Sequence, residues 1–326
     1  MNDMTMANNG VVCIGLTVTD ILVRPVDQVI QNREINNVEE IACAVGGDAY
    51  NEAYALTRMG VPVKLMSSVG NDMWGDFIIK KGTEAGIDMG HVTRNRNYPT
   101  TVTIVLIQGS GERSFICAGG SALHFQMESL DLPSIEKARV VSLASLYSNA
   151  ESDSAFLAAA KAAKNAGAIV TADTILNMKD CTLESNAEIF PLLDFIFPNY
   201  DEASAITGEK SLDKIADAFL KTGIGNVVIK TGQNGCYIQN SNVKLNVPTY
   251  KKAQRVDTTG AGDNFAAGFI YGLSKDLSIR ECAAYANAAA SVSIQYTGAG
   301  GLKNLQEVED MMAGGILEIS QEEFPV

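Results

Sequence analysis

A chain of 326 residues that is 46% hydrophobic and 19% charged has the balance of a folded globular protein, long enough for two cores or one large sheet-built core; disorder, collagen and coiled coil are excluded. Its formal net charge of −13 repels nucleic acid and anionic lipid, so a small neutral or metal-escorted ligand is the expected partner. Six cysteines without a CxxC pair and only two histidines, His91 and His124, leave no zinc cluster and put acid–base chemistry on carboxylates.

The opening MNDMTMANNG has neither a basic nor an apolar region of a secretory leader, and reduced thiols fit a cytoplasmic location. Short apolar runs at 11–15, 63–70, 140–146, 168–173, 194–199 and 226–232 predict strands buried on both faces. Helical patterns fall between and after them, at 48–59, 74–85, 152–166, 211–222, 262–274 and 278–297. The longest uncharged stretch, 282–302, contains Gln295 and suits a packed helix and turn better than a bilayer span. Strands alternating with helices of this size imply right-handed βαβ units and a mainly parallel sheet covered on both sides. Two segments, about 21–45 and 100–120, show period two instead, the second with Gly109-Ser110-Gly111 as a hairpin turn. They predict a small antiparallel sheet, read either as a lid over the carboxyl ends of the main strands or as edge hairpins without function.

The segment 255–269, RVDTTGAGDNFAAGF, carries the chemistry. Gly260 and Gly262 bracket Ala261 where an apolar helix begins, so backbone amides there lack an intrahelical acceptor and are little shielded. Such a turn binds anions, and the helix dipole would stabilise charge on a transferring phosphoryl group. Asp263 lies in that first turn, where the same dipole favours its ionised form and leaves it free to accept a proton from an alcohol. Alone, Asp263 would be explained as a helix cap; two glycines, a small residue and a carboxylate together favour phosphoryl chemistry. The chain has no GxxxxGK[ST] and no strand followed by GxGxxG, which argues against P-loop and nicotinamide-dependent enzymes.

DTTGAGDNFAAGF resembles the C-terminal signature of the ribokinase, or PfkB, family of carbohydrate kinases. Gly46-Gly47-Asp48-Ala49-Tyr50-Asn51 is similar to that family's Gly-Gly…Asn sugar-binding element, and Asn199-Tyr200-Asp201-Glu202 to its NxxE motif. The resemblance spans Asp20 to Gly298. It implies one ribokinase-like three-layer α/β domain over 1–326, with lid strands from about 21–45 and 100–120.

The resemblance also implies roles. Asp263 would be the catalytic base, with Gly260, Ala261 and Gly262 as the anion hole for the γ-phosphate of ATP. Asp20 and Asn51 would bind sugar hydroxyls, and Gly46 and Gly47 would let the backbone approach the ring. Asn199 and Glu202 would sit near the phosphates and organise Mg2+ through waters; without the resemblance they read as a helix cap and a solvated first-turn acid. Lys230, Gly232 and Gly235 match the loop that cups the nucleotide, and Asn287 a residue beside the adenine. Asp257, Thr259, Ser293, Tyr296 and Gly298 match positions that enclose an activating monovalent cation, K+, largely through carbonyls.

Ribokinase itself has a lysine where this chain has Asp48, an inverted charge near the acceptor. Arg113, in the GERSF strand, is a candidate to pair with an acidic sugar through its planar fork, or else a solvated hairpin arginine. The expected activity is transfer of the γ-phosphoryl group of ATP to a primary hydroxyl of a monosaccharide, a sugar acid or ketose among them. A nucleoside kinase, with Tyr50 as candidate aromatic contact, and a non-catalytic sugar or nucleotide sensor are the alternatives. Expected partners are a sugar, ATP and a second copy through the lid, with no nucleic acid and no membrane.

Overall fold

A computed structural model describes residues 10–27, 35–110, 112–175, 181–250 and 252–315, and the backbone of 320–323. Its strands are β1 (Val11–Ile14), β2 (Val18–Arg24), β3 (Glu40–Gly46), β4 (Val63–Gly70), β5 (Asp88–Asn95), β6 (Val102–Ile107), β7 (Arg113–Ala118), β8 (Val140–Leu146), β9 (Ile169–Thr174), β10 (Phe195–Ile196), β11 (Asn226–Lys230), β12 (Cys236–Gln239), β13 (Val243–Val247) and β14 (Ser320–Glu323). Its helices are α1 (Asp48–Arg58), α2 (Met73–Ala85), α3 (Leu132–Lys137), α4 (Ala150–Asn165), α5 (Tyr200–Thr207), α6 (Leu212–Leu220), α7 (Ala261–Ser274), α8 (Ile279–Ser293) and α9 (Leu305–Ala313).

Among the described residues the large sheet has the order β14-β13-β12-β11-β10-β9-β8-β1-β4-β5. It is parallel from β11 through β5 and antiparallel at the β12, β13 and β14 end. Burial on both faces follows from alternation along the central strands. Cys13 shares a core with Leu56 of α1 and Phe269 of α7, while Val12 and Ile14 share the opposite core with Phe156 of α4 and Phe219 of α6. Helices α7 and α8 approach closely at Gly268, where a Cβ would lie 2.6 Å from Tyr285 O.

Several expectations need correction. The 194–199 run is regular strand only at Phe195–Ile196, but its pairing continues: Phe197 N–H donates to Ala172 O at 2.8 Å, Pro198 O accepts Lys230 N–H at 2.9 Å, and Asn199 bridges to Lys230 as it caps α5. The helix expected over 278–297 ends at Ser293, and Ile294 O accepts the N–H groups of Val256 and Asp257 at 2.8 and 3.1 Å. The small sheet, β3-β2-β6-β7, is mixed: β2 pairs with β3 and β6 with β7 antiparallel, but β2 and β6 run parallel. It begins at Val18, so Asp20 belongs to the lid. Gln108 N–H to Glu112 O at 2.8 Å closes the expected hairpin; its Gly111, and residues 28–34 of the first lid segment, lie outside the described residues.

Candidate active site

Gly260, Ala261 and Gly262 form the turn that opens α7. Gly260 has a left-handed φ of +69° and a Cβ there would collide with Ala299, so shape and packing both require glycine. Ala261 N–H turns back to Thr258 O at 3.2 Å, leaving the next amides of the first turn without a helical acceptor. A Cβ at Gly262 would stand 3.3 Å from Lys230 Nζ; the cradle is bare backbone facing an ammonium.

Asp263 lies in the same turn and accepts a hydrogen bond from Asn51 Nδ2 at 2.6 Å across 212 residues of sequence. Burial pushes its carboxyl above the ordinary 3.8, against the Asn51 hydrogen bond and the Lys230 charge. A carboxylate of raised pKa is a stronger proton acceptor.

These groups line a cavity of about 470 Å³, with Gly47, Asp48, Asn51, Asp173, Thr174, Asn199, Glu202, Thr259 and Gly260 in its wall. Asp48 opens α1 there. Burial and the facing Asp263 raise its carboxyl well above the usual range, opposed by hydrogen bonds that include one from Ser145; two facing carboxyls resist double ionisation. Asp20 stands on β2 with its carboxylate against Gly46, where an added Cβ would collide with it. Burial, then Asp263, raises Asp20 to about 6. Gly47 packs on the backbone at Leu16, which a Cβ would meet at 2.5 Å. Tyr50 is 5% exposed and stacks on Tyr54, so it forms no aromatic wall for a base.

A second cavity, about 500 Å³, adjoins the first through Lys230, Gly232 and Gly262. Ala261, Tyr250, Phe265, Asn287, Ala290 and Ile294 shape it. Gly232 opens to it, since a Cβ there would touch nothing within 4 Å, whereas Gly235 is needed because a Cβ would collide with Val247 O. Asn287 presents a wall with its amide spent on Val247 O and Pro248 O at 3.1 and 3.3 Å.

Asn199 and Glu202 are at once a capping box and cavity wall. Asn199 Oδ1 accepts from Glu202 N and Glu202 Oε2 from Asn199 N, both at 2.9 Å, and Thr174 Oγ1 donates to Glu202 Oε2 at 2.8 Å. Asp173 was not foreseen. It is the last residue but one of β9 and takes a hydrogen bond from Lys230 Nζ at 2.5 Å. Burial raises Asp173 to about 7 although Lys230 opposes this; burial would lower Lys230, but Asp173 and Glu202 outweigh it and keep the ammonium charged. An acid terminating a buried apolar run was the available signal.

Arg113 does not point a free fork at an acceptor. Its Nη1 donates to Thr259 Oγ1 and lies 3.4 Å from Asp257 Oδ1, and its Nη2 donates to Thr258 Oγ1 at 3.0 Å. Of the five expected cation positions, Asp257, Thr259 and Gly298 meet: Asp257 Oδ1 accepts from Thr259 N and Oγ1 at 2.9 and 2.7 Å, and Oδ2 from Gly298 N at 2.8 Å. Ser293 O accepts from Tyr296 N at 3.2 Å, and the Tyr296 hydroxyl turns to Glu307 and Lys303, 3.3 Å from each.

The model of the pfkB family carbohydrate kinases matches residues 8–305. A ribokinase of Haemophilus influenzae is 30% identical over 262 residues, 78% of this chain and 83% of its own. A 2-dehydro-3-deoxygluconokinase of Bacillus subtilis is 26% identical over 285 residues, 81% of this chain and 85% of its own. The structure of Arabidopsis thaliana ribokinase complexed with ribose and ATP superposes with a TM-score of 0.80 at 26% identity, covering 93% of this chain and 98% of that one.

Proposed function

The chain belongs to the pfkB family of carbohydrate kinases, phosphotransferases with an alcohol acceptor, and on that premise we propose that it moves the γ-phosphoryl group of ATP to a primary hydroxyl of a neutral monosaccharide. The observation that carries this reading is the meeting of two cavities at Gly262 and Lys230, with Asp263 on one side of the junction and held by Asn51. ATP would lie in the cavity bounded by Gly232 and Asn287, its tail on the Gly262 turn. The sugar would lie on the Asp48 and Asn51 side, under Asp20.

Asp263 takes the proton of the attacking hydroxyl, and Asn51 fixes which carboxylate oxygen is free to do so. The first-turn amides stabilise charge on the moving phosphoryl group. Lys230 stands where it can exchange Asp173 for a phosphate oxygen. The oxygen-rich wall of Asn199, Glu202 and Asp173 suits a hard cation, and among the described residues no three acids form a ready-made cage; both favour Mg2+ held through waters and phosphate. That ion would neutralise charge on the phosphates.

Asp20, Asp48 and Asp263 crowd the acceptor side, and Arg113 is spent on residues 257–259. A carboxylated sugar would meet repulsion there, so a neutral acceptor fits better than an acid. A coupled assay of ADP release over neutral ketoses, aldoses, sugar acids and nucleosides, with ATP and Mg2+, tests this. Neutral sugars should stimulate turnover most. Preference for a nucleoside or acid refutes the acceptor class, and no stimulation by any acceptor refutes the kinase reading.

The lid supports a homodimer. By strand register, Ile21, Val23, Ile41, Cys43, Ile104 and Ile116 share the face opposite Asp20 and Arg113, and Ile41 and Ile116 are 66% and 56% exposed. A second copy would cover this apolar face.

A further inference from the structure

We infer that Glu52 is a positioning residue for the transfer: as a buried neutral acid it seats α1 on the central sheet and so sets where Asn51 meets Asp263. The inference rests on the kinase reading. Helix α1 turns Ala49, Ala53, Ala55 and Leu56 to the core. Apolar burial is non-directional, whereas hydrogen bonds are directional, so the roll of the helix about its axis is set by its polar bonds. Two of these run to β8. Ser142 Oγ donates to Glu52 Oε2 at 2.7 Å, and Ser145 donates to Asp48, one helical turn away. Asn51 lies between these rungs in sequence, about 100° round the helix from Glu52, and its Nδ2 reaches Asp263 Oδ2 on α7 at 2.6 Å. A roll of α1 would carry Asn51 away from that oxygen.

The surroundings of Glu52 explain why the acid is neutral. Its side chain is fully buried. The groups that face it are Asp48 on its own helix, Asp173 on β9, Asp263 on α7 and the Cys13 thiol on β1. No cation is among them, Lys230 being paired with Asp173. A carboxyl so placed keeps its proton. Its Oε1 then has a hydrogen to give, and that atom has no partner in the structure. Neither has Thr171 Oγ1, which is also buried. Thr171 is the register partner of Ser142 on β9. Its neighbours Val170 and Ala172 face the opposite core, so Thr171 faces the α1 side, as Ser142 does. The two orphaned atoms can satisfy each other directly or through one water. A protonated Glu52 thus accepts from Ser142 with one oxygen and donates toward Thr171 with the other.

The test is sugar-dependent ADP release by the wild type, Glu52→Gln, Glu52→Met and Ser142→Ala, with thermal melts of each protein at about pH 4 and about pH 8. Glutamine keeps an acceptor for Ser142 and a donor for Thr171, so Glu52→Gln should stay within about threefold of the wild type in kcat. Methionine has nearly the same length and no such bonds. Glu52→Met should lose about tenfold to a hundredfold in kcat, the cost of a misplaced group, with KM for ATP little changed because the second cavity lies on the far side of Lys230 and Gly262. Ser142→Ala leaves Glu52 in place, should lower kcat in the same way, and stands in for Glu52→Met if that variant does not fold. The melts read the proton independently of activity. An acid held above its ordinary 4.5 by burial contributes stability that is lost as pH rises through its folded value, whereas the amide does not titrate. Glu52→Gln should therefore gain on the wild type in melting temperature between the lower pH and the higher. A Glu52→Gln enzyme as slow as Glu52→Met, wild-type kcat in Glu52→Met or Ser142→Ala, or no such gain in melting temperature overturns the inference and leaves a kinase. A wild type that no acceptor stimulates overturns the kinase reading itself.

Discussion

Gly262→Ala separates catalysis from folding at a single atom. The residue is second in α7, and replacing a helical glycine by alanine favours the folded state by about 0.5–1 kcal/mol through backbone entropy. The added methyl would stand 3.3 Å from Lys230 Nζ, a tight but yielding contact with the end of a flexible chain. Stability should therefore hold or rise, with the melting temperature unchanged or up by about 2 °C. The methyl would nevertheless fill the junction of the two cavities, where the phosphate tail has to reach bare amides. Losing one such donor costs about 10²–10³ in rate, roughly 2.7–4 kcal/mol, so kcat/KM for ATP should fall by at least that factor. Steady-state ADP release and a thermal melt on the same preparation give both numbers. A variant that melts normally and works within about threefold of the wild type would mean that the ATP tail does not sit on this turn.

Asp263→Asn keeps an oxygen for Asn51 to donate to, so the fold should persist while turnover drops by about 10²–10⁴. Because burial raises the Asp263 carboxyl, wild-type kcat/KM should climb with pH through a value above the ordinary 3.8; the variant should lack that acid limb, and an identical limb in both would assign it elsewhere. Asp20 has a folded pKa of about 6 against about 3.9 unfolded, so the folded state binds the extra proton and stability is lost as pH rises from about 4 to about 6. The unligated Asp20→Asn protein should therefore be more stable than the wild type at neutral pH, by about 1–2 kcal/mol after screening, and equal to it near pH 4; urea titrations at both pH values check the sign, and KM for the sugar should rise. Ile116→Glu on the outer lid face should convert dimer to monomer in light scattering, and a monomeric wild type would end the dimer reading.

The layered α/β architecture was legible because buried central strands such as β1, β4, β8 and β9 are continuous apolar runs, and amphipathic helices separate them. Strand β5 escaped notice because its mixed burial along Asp88–Asn95 lacks that continuity. The parallel pairing of β2 with β6 escaped because it joins segments about 80 residues apart, and no turn announces it.

The turn that opens α7 could be read from fifteen consecutive residues because its cause is local: glycines and an apolar helix leave amides unpaired wherever they occur together. Which charges face one another was decided only by tertiary structure. Asn51 meets Asp263, Lys230 meets Asp173, and Arg113 meets Asp257 across gaps of 57 to 212 residues. Electrostatic energy depends on separation and burial, which the folded chain sets and no local pattern encodes. For that reason the sequence alone could offer Asp263 as a candidate base and Arg113 as a candidate sugar contact, but it took the fold to raise the first carboxyl above its ordinary value and to turn the second side chain to Asp257, Thr258 and Thr259.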